Sequence, residues 1–274
     1  MPLRAGLAAI WAGAALSAVT SKLGISCAHS PAHSSTFCAD LAESVARGAA
    51  WSYSWALSPA NTSCAALSSA PFEPQVWGSA AARNATPAAV PLSTHMLGFN
   101  EPNSAGQSNL TPAAAAKLWP AVEAAAAARN LSLVAPVPSG SDTQWLREFF
   151  TACGGCAGRV RAVALHPYAC DAAALRASLD AWAAFGKPLW VTEFNCGNGM
   201  RNASAAEHLA WMRVALPLLQ ADARVERFAW MSARDDKVPG AALFAGAGGQ
   251  LTPLGREYFA AAARSAGEDV SAGR

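Results

Sequence analysis

Short apolar runs recur along the chain with a spacing that suits strands alternating with helices. They fall at residues 22–28, 49–57, 74–78, 95–100, 131–137, 159–168, 188–195 and 225–233. Each has strand length and is bounded by Gly, Pro, Ser or Asn. The run at 49–57 is the weakest, because its Trp/Ser/Tyr alternation also suits an antiparallel edge. Helix starts are written between the later runs. Thr111-Pro112 pairs an N-cap with proline at the first helical position. Ser141-x-x-Gln144 and Ser204-x-x-Glu207 have capping-box spacing. Asp171 caps a helix that ends before Gly186, and Thr252-Pro253 opens a last helix through Tyr258. Pro120 and Pro217 are expected to kink or shorten two of these helices. The stretch 79–94 reads as a loop or a short helix.

Strands alternating with helices imply parallel pairing. Eight repeats in about 250 residues predict a single compact (β/α)8 TIM barrel, an α/β fold. An open doubly wound sheet is the alternative, but no Gly-x-Gly-x-x-Gly loop follows the first run.

In such a barrel the active site collects at the C-terminal ends of the strands. Two runs finish on a carboxylate: the fourth in Asn100-Glu101-Pro102, and the seventh in Thr192-Glu193-Phe194-Asn195. On opposite sides of an eight-stranded ring, these two side chains can face each other across the mouth. Paired carboxylates are what glycoside hydrolysis needs: one acid to protonate the leaving oxygen, and one carboxylate to attack or to activate water. The plain alternative is two structural ion pairs.

Composition supports a neutral substrate. The 274 residues are 53% hydrophobic and only 14% charged, with a formal net charge of +2. No Lys/Arg run marks a nucleic-acid or anionic-membrane surface. Ten Trp beside three Tyr supply flat apolar faces for a core and for stacking on sugar rings. Residues 1–21 have the pattern of a secretory signal peptide: Arg4, an apolar stretch, then small residues. The catalytic domain is expected over 22–264 and a polar tail over 265–274. No other segment is long and apolar enough to span a membrane.

Seven Cys suit three disulfides and one free thiol, and "CGGC" at 153–156 reads as disulfide material in a loop. Cys170 and Cys196 follow neighbouring runs and are expected to pair. Sequons at Asn61, Asn84, Asn109, Asn130 and Asn202 fit a secreted glycoprotein. His29, His33, His95 and His208 share no metal-ligand spacing, so neither metal nor cofactor is expected. Trp51 is assigned to the core and Trp77 to the cleft. Trp119, Trp145, Trp182 and Trp211 lie in helix patterns, packed on the barrel. Asp235 and Asp236 read as a solvated loop.

The motifs "GFNEPN" and "WVTEFN", with "WSYSW", "VWG", "HPY", "FAWMS" and "LTPLGREYF", resemble glycoside hydrolase family 128. These are compact-barrel endo-β-1,3-glucanases of the retaining clan A. The resemblance spans residues 22–260. It implies Glu101 as acid/base and Glu193 as nucleophile, with Asn100 bonding a sugar hydroxyl and Trp230 forming a stacking floor. Ser54 stands where the family usually carries Asn, and Pro167 where an aromatic is common. His166 is either a donor to the nucleophile or a sugar, or a loop support. Tyr168 either holds the nucleophile ionised or caps the rim. The resulting expectation is a secreted or cell-wall, monomeric enzyme cutting internal β-1,3 bonds of β-glucan. A same-clan enzyme on another β-glucan or mannan, and a non-catalytic β-glucan-binding barrel, remain alternatives.

Overall fold

Seven of the apolar runs become strands of one curled parallel sheet. In the computed structural model these are β1 (Leu23–Ser26), β2 (Trp51–Tyr53), β3 (His95–Leu97), β4 (Ser132–Val134), β5 (Val160–Leu165), β6 (Leu189–Val191) and β7 (Val225–Trp230). The structure describes residues 21–27, 31–91, 93–140, 142–197, 203–235, 237–238 and 240–261. The expected signal segment, apart from Ser21, and the polar tail therefore lie outside it, as do Asn202, His29, Ser141 and Asp236.

Strand order is β2-β1-β7-β6-β5-β4-β3, and every pairing is parallel. The expected closed (β/α)8 barrel is not formed: the sheet is a half-barrel whose edges, β2 and β3, stand 9 Å apart. The run at 74–78 is not a strand. Pro71 and Pro74 remove backbone donors from this stretch, and proline cannot serve a two-sided ladder. What remains are isolated bridges, Ser52 to Phe72 and Gln75 to Leu97. The segment lies in the gap without closing the sheet. β2, for which an antiparallel edge was the alternative, pairs in parallel with β1.

Helices α1 (Phe37–Ala46), α2 (Ser79–Asn84), α3 (Pro112–Ala127), α4 (Thr143–Ala152), α5 (Ala172–Ala183) and α6 (Ala205–Ala221) follow in chain order, with residues 253–261 also helical. The Thr111 and Asp171 side chains cap α3 and α5, and Ser204 with Glu207 forms a complete capping box on α6. α4 is capped by Asp142, which accepts from Trp145 N–H, rather than by the Ser141 box. α3 and α6 run through Pro120 and Pro217 for 16 and 17 residues. Buried neighbours such as Trp119, Val122, Leu216 and Leu219 hold each helix across the missing bond. A short antiparallel pair, β8 (Phe244–Ala245) and β9 (Gln250–Leu251), precedes the last helix.

Side chains alternate across the strands and build two cores. The helix-facing core takes the larger share, including Trp119, Trp145, Trp182 and Trp211. The concave face holds Trp51, Tyr53, Leu97, Val134, Val137, Ala162, Ala164, Trp190 and Ala229. Large rings from β2 and β6 fill the space that the alanines leave. Gly24 is part of the same fit: a Cβ there would sit 2.1 Å from Trp51 Cε2. At the N-terminal end of the strands a buried carboxylate meets a half-buried guanidinium, Arg227 Nη1 lying 2.6 Å from Glu73 Oε1. The Arg227 guanidinium also lies over Trp190, 4.3 Å from the ring centre.

Disulfides join Cys38 to Cys64, Cys153 to Cys156 and Cys170 to Cys196. The last has the expected pairing, with Cα atoms 4.7 Å apart. Cys27 is a buried free thiol. Among the described residues no helix is long and apolar enough to cross a membrane.

Candidate active site

The C-terminal ends of β3, β5 and β6 bring three buried polar side chains together. Glu101 follows β3, His166 follows β5 and Glu193 follows β6, and one ligand-type atom of each lies within 4.8 Å of the others. Their exposures are 6%, 1% and 4%. Buried charges of this density must be paired or hydrogen-bonded, and they are. His166 Nδ1 is 3.0 Å from Glu101 Oε1 and 3.4 Å from Glu193 Oε2. Its Nε2 is 3.0 Å from Thr192 Oγ1. Burial works against a charged imidazole, but the charge of Glu193 and the bond and charge of Glu101 outweigh it and raise the His166 pKa. In the charged form both ring nitrogens donate.

Glu193 receives a donor on each oxygen. Trp55 Nε1 donates to Oε1 at 2.6 Å, and the Tyr168 hydroxyl donates to Oε2. Burial first, then the neighbouring charge of Glu193, pushes the Tyr168 phenol well above its usual range, and the same causes act on Tyr53. Both phenols are therefore kept as donors. Tyr53 uses its proton on the Thr192 carbonyl at 2.7 Å. Glu101 is fixed from its backbone, whose N–H donates to Val137 O at 2.8 Å.

Asn100, 3% exposed, is oriented by its neighbours. Gln75 Nε2 donates to Asn100 Oδ1 at 3.3 Å, and Asn100 Nδ2 faces Gln107 Oε1 at 3.4 Å. With its carbonyl held by Gln75, the Asn100 amide presents donors. Two non-glycine residues here adopt left-handed backbone, Trp55 at φ 56° and Glu101 at φ 40°. Such conformations are uncommon and concentrate at functional sites.

The remaining candidates divide. Trp77 is half-buried at the end of the bridging segment. Its carbonyl accepts from Asn100 N–H at 3.0 Å, beside the strand that carries Glu101. Ser54 is buried in the loop beyond β2. Trp230 is not a floor for sugar. It is 0% exposed and belongs to the helix-facing core, with its ring against Phe194 at 5.1 Å and its Nε1 on Ala241 O at 2.8 Å. Strand alternation puts Ala229, not Trp230, on the concave face. Asp235 caps its own loop, accepting from Lys237 and Val238 N–H groups. Trp55, Thr192, Tyr53, Gln75 and Gln107 join the site without having been singled out for it. For Tyr53 and Trp55 the signal is the face they share with Trp51, which points along the concave side toward the strand ends; Thr192, Gln75 and Gln107 carry no such signal.

Among the described residues, Glu101, His166 and Glu193 are the one grouping with metal-ligand atom types. The fit is poor. Both oxygens of Glu193 face N–H or O–H donors, and His166 is bonded on both nitrogens, so the cluster is satisfied by its own hydrogen bonds. What the arrangement can do is place an acid and a second carboxylate on either side of a bond entering the cleft.

The chain belongs to the glycosyl hydrolase catalytic core family, whose sequence model matches residues 31–258. Within that class it resembles glycoside hydrolase family 128. A subgroup II endo-β-1,3-glucanase from Sorangium cellulosum is 32% identical, covering 88% of this chain and 98% of its own, with a TM-score of 0.74. A subgroup I endo-β-1,3-glucanase from Amycolatopsis mediterranei, solved with laminaritriose, is 30% identical at 88% and 99% coverage, with a TM-score of 0.70. Alkali-sensitive linkage protein 1 of Schizosaccharomyces pombe is 31% identical over 176 residues, 60% of this chain. The chain spans about a third of that relative's length (32%).

Proposed function

We infer that this chain is a retaining endo-β-1,3-glucanase acting on neutral β-glucan. The observation that carries the reading is that one oxygen of Glu101 and one of Glu193 lie within 4.8 Å of each other, too close for the two carboxylates to be spaced for an intervening water. Retaining glycosidases hold their carboxyl groups about 5–5.5 Å apart, whereas inverting ones leave about 6.5–9.5 Å for a water. The roles follow from the surroundings. Glu193 has an N–H on one oxygen and an O–H on the other, which fixes the plane of the carboxylate that a nucleophile presents. Glu101, beside His166 and free of such a double clamp, is the acid/base. It protonates the leaving oxygen and later deprotonates the water that hydrolyses the glycosyl-enzyme. Asn100 donates to a sugar hydroxyl next to the scissile bond. Trp77 and Ser54 contribute cleft contacts, Ser54 with the shorter reach. The glucan linkage is supported by the similarity to the two bacterial endo-β-1,3-glucanases. Three disulfides accord with an oxidising, extracytoplasmic destination.

The test is release of reducing ends from laminarin, carboxymethylcellulose and mannan by the purified protein. Cleavage of laminarin alone supports the reading. Cleavage of one of the other polymers instead reassigns the substrate within the clan. Binding of laminarin without any cleavage makes the protein a glucan-binding barrel.

A further inference from the structure

We propose that Trp55 is the positioning residue for Glu193, acting through its indole N–H rather than as a stacking surface for sugar. The proposal rests on the reading of Glu193 as the reacting carboxylate. A carboxylate held at one oxygen keeps a broad, two-fold freedom about its last torsion. Glu193 is held at both, by Trp55 from the loop after β2 and by Tyr168 from the loop after β5. The two donors come from different elements, so together they set the carboxylate plane.

The β2 side of this clamp reaches across the sheet. In strand order β2 stands three places from β6, so its side chains meet the Thr192-Glu193 segment through the concave interior. Tyr53 holds the backbone there, by its bond to Thr192 O, and Trp55 holds the side chain. The rings support one another in series: Trp51 stacks on Tyr53 at 5.7 Å, and Tyr53 packs on Trp55 at 5.1 Å. Trp55 itself sits at φ 56°, a conformation that bulky residues rarely adopt. That backbone turn is what brings the indole N–H to 2.6 Å from Oε1. An aromatic merely presented to sugar would need no bond to the carboxylate and no left-handed backbone.

The two roles separate by chemistry. Trp55→Phe keeps a ring and removes the N–H; Trp55→Ala removes both. On laminarin, the Phe variant should lose about 10- to 100-fold in kcat, the range expected for one hydrogen bond to a charged group, with KM changed less than about threefold. The Ala variant should lose no less. Circular dichroism confirms folding, and the Phe variant alone suffices if the Ala variant does not fold.

A Phe variant with wild-type kcat overturns the proposal. So does an Ala variant whose whole loss lies in KM. Glu193→Gln runs alongside as the control. If it is inactive while Trp55→Phe is unimpaired, only the role of Trp55 falls. If Glu193→Gln keeps wild-type turnover, the assignment of Glu193 falls, and the Trp55 proposal with it.

Discussion

Replacing Glu73 by Gln should destabilise the fold without touching the chemistry, by an amount the structure lets one estimate. Glu73 is fully buried at the N-terminal end of the strands, away from Glu101 and Glu193. Its Oε1 accepts from Arg227 Nη1 and Thr94 Oγ1, both at 2.6 Å, and its Oε2 from Ser93 Oγ at 2.5 Å and His95 N at 2.7 Å. Burial alone would raise its pKa. Hydrogen bonding from His95, the Arg227 charge and the two hydroxyls outweigh burial and bring it from 4.5 down to about 2. That difference is worth about 3 kcal/mol at neutral pH. It agrees with the roughly 3–5 kcal/mol seen when one partner of a buried pair is removed. Gln keeps the shape but turns an NH2 toward donors on one side, so neither Arg227 nor the remaining donors are fully satisfied. For a domain of this size the melting temperature should fall by about 6–12 °C at pH 7. The pH dependence is the sharper check. A carboxylate with a depressed folded pKa contributes fully above its unfolded pKa and loses that contribution as pH falls through the folded value. The gap between wild-type and Glu73→Gln melting curves should therefore be constant above about pH 5 and narrow from pH 4.5 toward pH 2. Turnover per folded molecule should be unchanged. A gap that persists unaltered at pH 2–3, or no gap at pH 7, would refute the reasoning.

Two further substitutions probe the scaffold. Opening the Cys170–Cys196 bridge by a double Cys→Ser change, across a sequence separation of 26, should cost about 3–4 kcal/mol on the chain-entropy estimate, read by urea unfolding. An unchanged urea midpoint would count against that loop being held by the bridge. Gly24→Ala places a methyl inside the Trp51 ring and should cost about 1–3 kcal/mol by overpacking. A melting temperature within a degree of wild type would show that Trp51 can move aside.

The two glutamates were legible in the sequence because each interrupts an apolar run at its end, where a parallel sheet presents its functional side chains. The Cys170–Cys196 pair was legible for a related reason, since it joins the loops of adjacent parallel strands. Closure of the sheet was not, because Pro71 and Pro74, just before and at the start of a short run that otherwise reads as strand, take backbone donors out of its pairing. Trp230 was misplaced by a register question: a shift of one residue exchanges the two faces of a strand, and both faces of β7 are buried. Apolar character therefore could not choose between Ala229 and Trp230 for the cleft side. Glu73 escaped notice because its partner Arg227 is 154 positions away in sequence. Trp55 shares a strand face with Trp51 and Tyr53, but its bond to Glu193 depends on a backbone turn that no spacing rule foretells.

The central claim, that Glu101 is the acid/base and Glu193 the nucleophile of a retaining mechanism, is tested most directly by azide rescue of the two alanine variants. The substrate is an aryl β-glucoside oligomer with a good leaving group. In Glu101→Ala the nucleophile survives, the glycosyl-enzyme forms without proton donation, and azide attacks from the side Glu101 vacated. The product should be the β-glycosyl azide. In Glu193→Ala azide can enter only from the opposite face, and the product should be the α-azide. The reverse stereochemistry would exchange the two roles. Turnover of polysaccharide reduced by less than about a hundredfold in both variants, below what an acid/base group contributes, would contradict the two-carboxylate mechanism itself.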